Sequence, residues 1–253
     1  MTHVSLFTGI GGLDLAAEWA GFRTILQVER EEYPLKVLAK HWPDVPRIVD
    51  VREVTSESVR ESVTVVSGGF PCQPFSAAGK RQGELDDRHL WPEMLRVIQE
   101  LNPTWVVGEN VRGLLSISDG MVFAGILDDL GGAGYEVWPI LYPAQSVGAP
   151  HQRYRIFIVA HSIGERGRGR DTKWEDAKNA WKPSGRALDG QWDVEPGVGG
   201  MVDGISQWLD EPDIPRVATG VKNRVDRLKC LGNAVVPQQA FPIFKAIAEL
   251  EGA

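Results

Sequence analysis

The sequence predicts an α/β fold: a sheet of six or seven strands covered by helices, with a small loop-rich insert before the last helix. Three observations predict it. Across the first 160 residues short apolar runs alternate with helical patterns, as they do when a parallel sheet is covered by helices. Between His161 and about Pro215 apolar periodicity fades and Gly, Asp, Arg and Trp dominate, with four of the nine tryptophans (Trp174, Trp181, Trp192 and Trp208) in this stretch. Beyond it Phe241, Ile243, Phe244, Ile247, Ala248 and Leu250 pattern a helix entered through Pro237, and that helix is expected to return to the sheet. The chain therefore divides into residues 1–160, 161–215 and 216–253.

Taken in order, residues 4–7, 24–28, 63–67 and 105–108 are short, largely apolar runs that read as buried strands. Between the third and fourth, Trp91, Met94, Leu95, Ile98 and Leu101 share one face of a helix over Trp91–Leu101, and Pro92 falls in its first turn, where a missing N–H is tolerated. Residues 135–141 and 155–160 supply two more strands, separated by a connection that contains Pro143 and Pro150.

A chain of 253 residues buries a sizeable core without a partner. Its 43% hydrophobic and 24% charged residues exclude a disordered or fibrous protein. No apolar run approaches the roughly 20 residues that span a bilayer, and residues 1–7 lack the basic flank and apolar stretch of a secretory leader, so a cytoplasmic protein with no membrane partner is expected. The two cysteines, Cys72 and Cys230, suit a reducing compartment, and with no Cys/His cluster at zinc spacing no metal is expected. A net charge of −7 excludes a uniformly positive surface for coating nucleic acid. Basic residues are instead clustered, from Arg153 through Arg166, Arg168 and Arg170 to Arg186, and again from Arg216 to Lys229. Each cluster is either a solvated face or a local phosphate-binding surface.

Two motifs carry chemistry. In Phe7-Thr8-Gly9-Ile10-Gly11-Gly12, directly after the first strand, glycines let the backbone bend tightly and approach a ligand at the start of a helix. The G-x-G-G spacing differs from the G-x-G-x-x-G of nicotinamide dinucleotide sites. Glu29 ends the second strand 20 residues after Gly9, where a carboxylate meets ribose hydroxyls, or it is one exposed acid beside Glu31 and Glu32. Asp50 is a candidate partner for an adenine amino group. In the second motif, Gly68-Gly69-Phe70-Pro71-Cys72-Gln73-Pro74-Phe75-Ser76, a strand delivers one cysteine into a loop stiffened by two prolines, which presents a nucleophile rather than burying a thiol. Cys230, between Leu228, Lys229 and Leu231, fits a buried structural thiol better.

Residues 68–76 resemble the catalytic signature of the cytosine-C5 DNA methyltransferase family, of bacterial or phage type. Other blocks follow in the family's order: Glu109-Asn110-Val111, His151-Gln152-Arg153-Tyr154-Arg155, where His151 stands at the usual glutamine, and Gly232-Asn233-Ala234-Val235-Val236-Pro237. The resemblance implies a Rossmann-like S-adenosylmethionine-dependent sheet and a monomer acting on double-stranded DNA, as in restriction–modification systems. It implies catalytic roles for Cys72, Glu109, Arg153 and Arg155. It also implies cofactor contacts from Phe7, Gly9, Ile10, Gly11, Gly12 and Glu29, and from Asp50, Val51, Pro71, Leu90, Asn233 and Val235. Residues 161–215 are then a short target-recognition region, and residues 77–89 are either a lid over a flipped base or a solvated loop. One branch of the family acts on structured RNA such as tRNA, which keeps RNA open as an alternative substrate.

Overall fold

The computed structural model describes residues 1–71, 90–149, 151–163 and 223–252. Cys72, the 77–89 segment and nearly all of the 161–215 region lie outside the described residues. The elements, in chain order, are β1 (Thr2–Leu6), α1 (Gly12–Trp19), β2 (Arg23–Val28), α2 (Glu32–His41), β3 (Arg47–Ile48), β4 (Val65–Gly68), α3 (Trp91–Leu101), β5 (Trp105–Val111), α4 (Met121–Gly132), β6 (Tyr135–Pro143), β7 (Tyr154–Ser162), α5 (Arg224–Asn233) and α6 (Pro237–Glu251). They build a seven-stranded sheet in the order β3-β2-β1-β4-β5-β7-β6.

The first five strands of that order pair in parallel, but β7 runs antiparallel to both β5 and β6. This corrects the all-parallel expectation. A parallel neighbour needs a crossover of a dozen or more residues, usually helical, and between β6 and β7 the chain has only a short 3-10 turn over Ala144–Val147 and Gly148 in a left-handed conformation. The chain therefore doubles back, and β7 slides between β5 and β6. β7 also continues through His161 and Ser162, both buried strand residues, two positions past the boundary expected at 160. Hydrophobic patterning marked α3 at its observed bounds. It left α2, α4 and α5 unmarked.

Each face of the sheet carries its own core. On one, Trp91, Met94, Val97 and Ile98 of α3 and Ile126 and Leu130 of α4 pack on Val4, Leu6, Val66 and Val106. On the other, Ala16 and Ala17 of α1 and Ile243, Phe244 and Ile247 of α6 pack on Val65, Trp105, Val107 and Phe157. Burying each such large side chain contributes roughly 1.5–3 kcal/mol. A polar layer interrupts this second core. The buried His3 ring bonds Thr24 Oγ1 at 2.9 Å and Ser67 Oγ at 2.7 Å, and burial pushes its pKa down to about 3. Ser5 Oγ and Gln27 Nε2 donate to the two oxygens of Asp14 at 2.7 and 2.8 Å, while burial raises that carboxyl to about 6. These bonds tie α1 to β1 and β2 on either side of the glycine turn, so the turn's position is fixed from below.

Candidate active site

Strand ends at the carboxyl edge of the parallel strands are where α/β proteins place ligands. Here β1 delivers the Phe7–Gly12 turn, β2 delivers Glu29, β4 leads into Gly69, Phe70 and Pro71, and β5 carries Glu109 and Asn110 just before its last residue, Val111. These residues line a cavity of about 470 Å³, closed by residues of α2 and α5.

The glycine turn takes the backbone its sequence requires. Gly11 has φ +87°, and a Cβ there would meet the Trp42 ring at 2.5 Å; at Gly12 a Cβ would stand 2.6 Å from the Val235 carbonyl oxygen. Thr8 anchors the turn, its N–H donating to Val28 O at 3.0 Å. Glu29 is not an exposed acid. It is 8% exposed, and its carboxylate accepts from Gly9 N at 2.6 Å and Glu31 N at 2.7 Å. Two amides thus orient the carboxylate at the cavity wall, and lone pairs remain on it for hydroxyl donors.

Glu109 lies on the same sheet face as Arg155, its diagonal neighbour across the β5–β7 pair, where Glu109 opposes Phe157. Arg155 Nε stands 2.8 Å from Glu109 Oε1. Burial nevertheless dominates, raising the Glu109 carboxyl to about 7 against the opposing pull of Arg155 and Arg153. A carboxyl poised at neutral pH in a cavity donates or accepts a proton with equal ease. Beside it, Asn110 Nδ2 donates to Phe70 O at 2.8 Å and Asn110 Oδ1 accepts from Val111 N. Asn110 thereby fixes the strand exit that leads to Cys72, which itself lies outside the described residues. On the far side of that segment, Leu90 N donates to Pro71 O at 3.4 Å, so both ends of the 72–89 stretch are tied together.

The α5–α6 link supplies the remaining wall through Asn233, Ala234 and Val235. Arg153, in a left-handed conformation (φ +36°), donates from Nη2 to Gly232 O at 2.8 Å and Ala234 O at 2.6 Å. It is not among the residues lining the cavity, whereas Arg155 is.

Of the expected cofactor residues, Phe7, Gly9, Ile10 and Gly12 line the cavity, as do Glu29, Pro71, Asn233 and Val235. Gly11, Asp50, Val51 and Leu90 do not. Gly11 is turned toward Trp42; the Asp50 carboxylate accepts from Arg52 N at 3.0 Å and pairs with the Arg52 guanidinium at 3.3 Å; Val51 is buried in the core; and Leu90 precedes α3. Cys230 departs from the buried thiol expected of it. It is half-buried and lines the cavity, because α5 buries no residue and leaves Leu228 and Leu231 exposed. Sequence reading also missed Tyr33, Glu31 and Lys229. The last two form an exposed 2.9 Å ion pair between the N-cap of α2 and α5, and a sequence separation of 198 leaves no local signal for it.

A family model described as C-5 cytosine-specific DNA methylase matches residues 1–188. Over 183 residues the chain is 36% identical to the type II methyltransferase M.Eco47II of Escherichia coli, covering 70% of this chain and 43% of that protein. It is also 36% identical over 179 residues to M.AquIA of Picosynechococcus sp., covering 64% of this chain and 72% of that one. The chain thus spans less than half of M.Eco47II and most of M.AquIA. Among solved structures, the Dnmt2 methyltransferase of S. pombe superposes with a TM-score of 0.56 at 19% identity, covering 65% of this chain and 52% of that one, a likeness of fold. With the family model covering most of its length, the chain belongs to the C-5 cytosine-specific DNA methylase family.

Proposed function

We propose that the chain transfers a methyl group from S-adenosylmethionine to carbon 5 of cytosine in double-stranded DNA, with Cys72 adding covalently to carbon 6 of a flipped base. The observation that carries this reading is the buried Glu109 carboxyl, raised to about 7, paired with Arg155 and adjoining the Phe70–Pro71 exit toward Cys72.

The cavity fits the cofactor. Its volume falls within the ~300–1,000 Å³ common for small-molecule sites, the glycine turn opens one wall, and the Glu29 carboxylate faces the space that ribose hydroxyls would fill. When bound, S-adenosylmethionine supplies an activated methyl group. Everything else falls to the chain. Carbon 5 of cytosine is a poor nucleophile until a thiolate adds to carbon 6, and Cys72 is that thiolate. Addition builds negative charge toward ring nitrogen 3, where protonated Glu109 donates; Arg155 holds Glu109 and supplies N–H donors for the cytosine carbonyl oxygen. After methylation, loss of the carbon-5 proton to water re-forms the bond between carbons 5 and 6 as a double bond and expels the Cys72 thiolate, while Glu109 takes back its proton from ring nitrogen 3. A stacked cytosine cannot reach a recessed carboxyl, so the base must leave the duplex at a cost of a few kcal/mol. Residues 161–215 serve as the target-recognition region.

Fluorine at carbon 5 cannot leave as a cation, so a duplex carrying 5-fluorocytosine at the target site should stay bound to the protein through denaturing electrophoresis, only when S-adenosylmethionine is present. Cys72→Ser should abolish the adduct and Cys230→Ser should retain it. Trapping that survives in Cys72→Ser would overturn the assignment of the nucleophile.

A further inference from the structure

We propose that Gln239 and Arg153 form one positioning clamp, which holds the link at residues 232–236 against the glycine turn and so sets the width of the cofactor cavity. The substrate side of this inference rests on the function proposed above; the clamp itself rests on geometry.

The link runs from the last turn of α5, where Ala234 N still donates to Cys230 O at 2.9 Å, to the start of α6 at Pro237. Asn233, Ala234 and Val235 line the cavity, and Ala234 is the residue at which α5 ends. One side of the link touches the glycine turn, where only the absent side chain of Gly12 leaves room for the Val235 carbonyl. The other side is held by a single guanidinium nitrogen, Arg153 Nη2, which reaches Gly232 O and Ala234 O at 2.8 and 2.6 Å. The link is therefore gripped between Gly12 and Arg153.

Arg153 adopts φ +36°, a conformation that a residue with a side chain keeps only when its surroundings impose it. Gln239 imposes it. This side chain is fully buried, and its Nε2 donates to Arg153 O at 3.2 Å and also to Tyr142 O. Both amide hydrogens are spent on the backbone where β6 ends and β7 begins, and Tyr142 opposes Arg155 in the strand register. A buried amide in the first turn of a helix whose other inward residues are apolar calls for a reason, and its hydrogen bond to the carbonyl of Arg153, at that strained backbone position, supplies one. Positions of Arg155, Arg153, the link and Gly12 are thus set together. Arg153 acts on the cofactor wall rather than on a phosphate.

A double-mutant cycle tests this with S-adenosylhomocysteine as the titrated ligand. Gln239→Met, which keeps volume and removes the amide, and Arg153→Ala should each weaken binding by about tenfold or more, and the double variant should be no weaker than the worse single one, because one clamp is broken only once. KM for the cofactor should rise more than kcat falls, and the log-log salt slope for DNA should be unchanged. In the ligand-free protein, amide exchange at residues 233–236 should accelerate in both variants. Effects that multiply in the double variant, unchanged exchange at the link, or a salt slope reduced by about one in Arg153→Ala with cofactor affinity intact would each overturn the clamp. A wild-type protein that fails to bind S-adenosylhomocysteine, with exchange at the link still accelerated in both variants, would overturn the functional reading and leave the clamp standing.

Discussion

Replacing Glu109 with glutamine should stabilise the protein while slowing its chemistry. Burial raises the carboxyl from the usual 4.5 to about 7, so between those two pH values the folded chain keeps a proton that the unfolded chain has lost. Stability contributed by that proton is complete below pH 4.5 and is lost as pH rises to 7. At about 1.4 kcal/mol per pH unit, the loss reaches roughly 3 kcal/mol by pH 8. Glutamine mimics the protonated acid at every pH and avoids this loss. Wild type and Glu109→Gln should therefore unfold together near pH 4.5, and the variant should melt several degrees higher at pH 8, since about 1 kcal/mol moves a chain of this size by about 2–4 °C. Urea or thermal melts across pH 4.5–8.5 provide the assay. Methyl transfer should meanwhile fall by about 10²-fold or more, as is typical when a general acid is removed. A variant less stable than wild type at pH 8 would mean that the Arg155 ion pair outweighs the burial of the charge, and the raised pKa would be refuted.

Three further outcomes are expected. Gly12→Ala should weaken cofactor binding by about tenfold or more, because its methyl would meet the Val235 carbonyl at 2.6 Å and the neighbouring backbone must move to admit it; calorimetric titration with S-adenosylhomocysteine at wild-type affinity would contradict this. The His3 imidazole, held neutral by burial at about 3, should show no change in its ring proton shifts between pH 5 and 8, and a midpoint near 6.5 would place the ring in water. Removing Arg168 and Arg170 should flatten the salt dependence of DNA binding by roughly one to two units of slope, read from log-log titrations; an unchanged slope would assign these charges to solvent.

Where periodicity was strong, sequence and structure agree closely. α3 matches residue for residue because a stripe of five apolar side chains with a first-turn proline leaves one solution. Four of the five parallel strands are legible as short buried runs; β3, two residues long and only partly buried, is not. The direction of β7 is not, since an apolar strand reads the same whichever way it points, and only the short β6–β7 connection decides. α5 carried no signal because it buries nothing. At the site, Glu29 stood out by its place at a strand end and Glu109 by its block of the family resemblance, and the structure brings both to one cavity. Asp50, read as a partner for an adenine amino group, caps a 3-10 turn. Gln239 was invisible, because of two adjacent glutamines, Gln238 and Gln239, nothing in the sequence marks the one that the docked helix buries.

The reversed course of β7 has a further consequence for how this protein could diversify. From Arg155 beside the cavity the strand travels about 20 Å to His161, which pairs with Trp105 at the opposite end of the sheet, and the described chain resumes at Asn223, one turn before the cavity-lining residue Asp226. Neither junction interrupts a strand or a core helix. Ile163 and Asn223 are thus natural crossover points, where recombination between relatives would leave every described residue that lines the cavity in place.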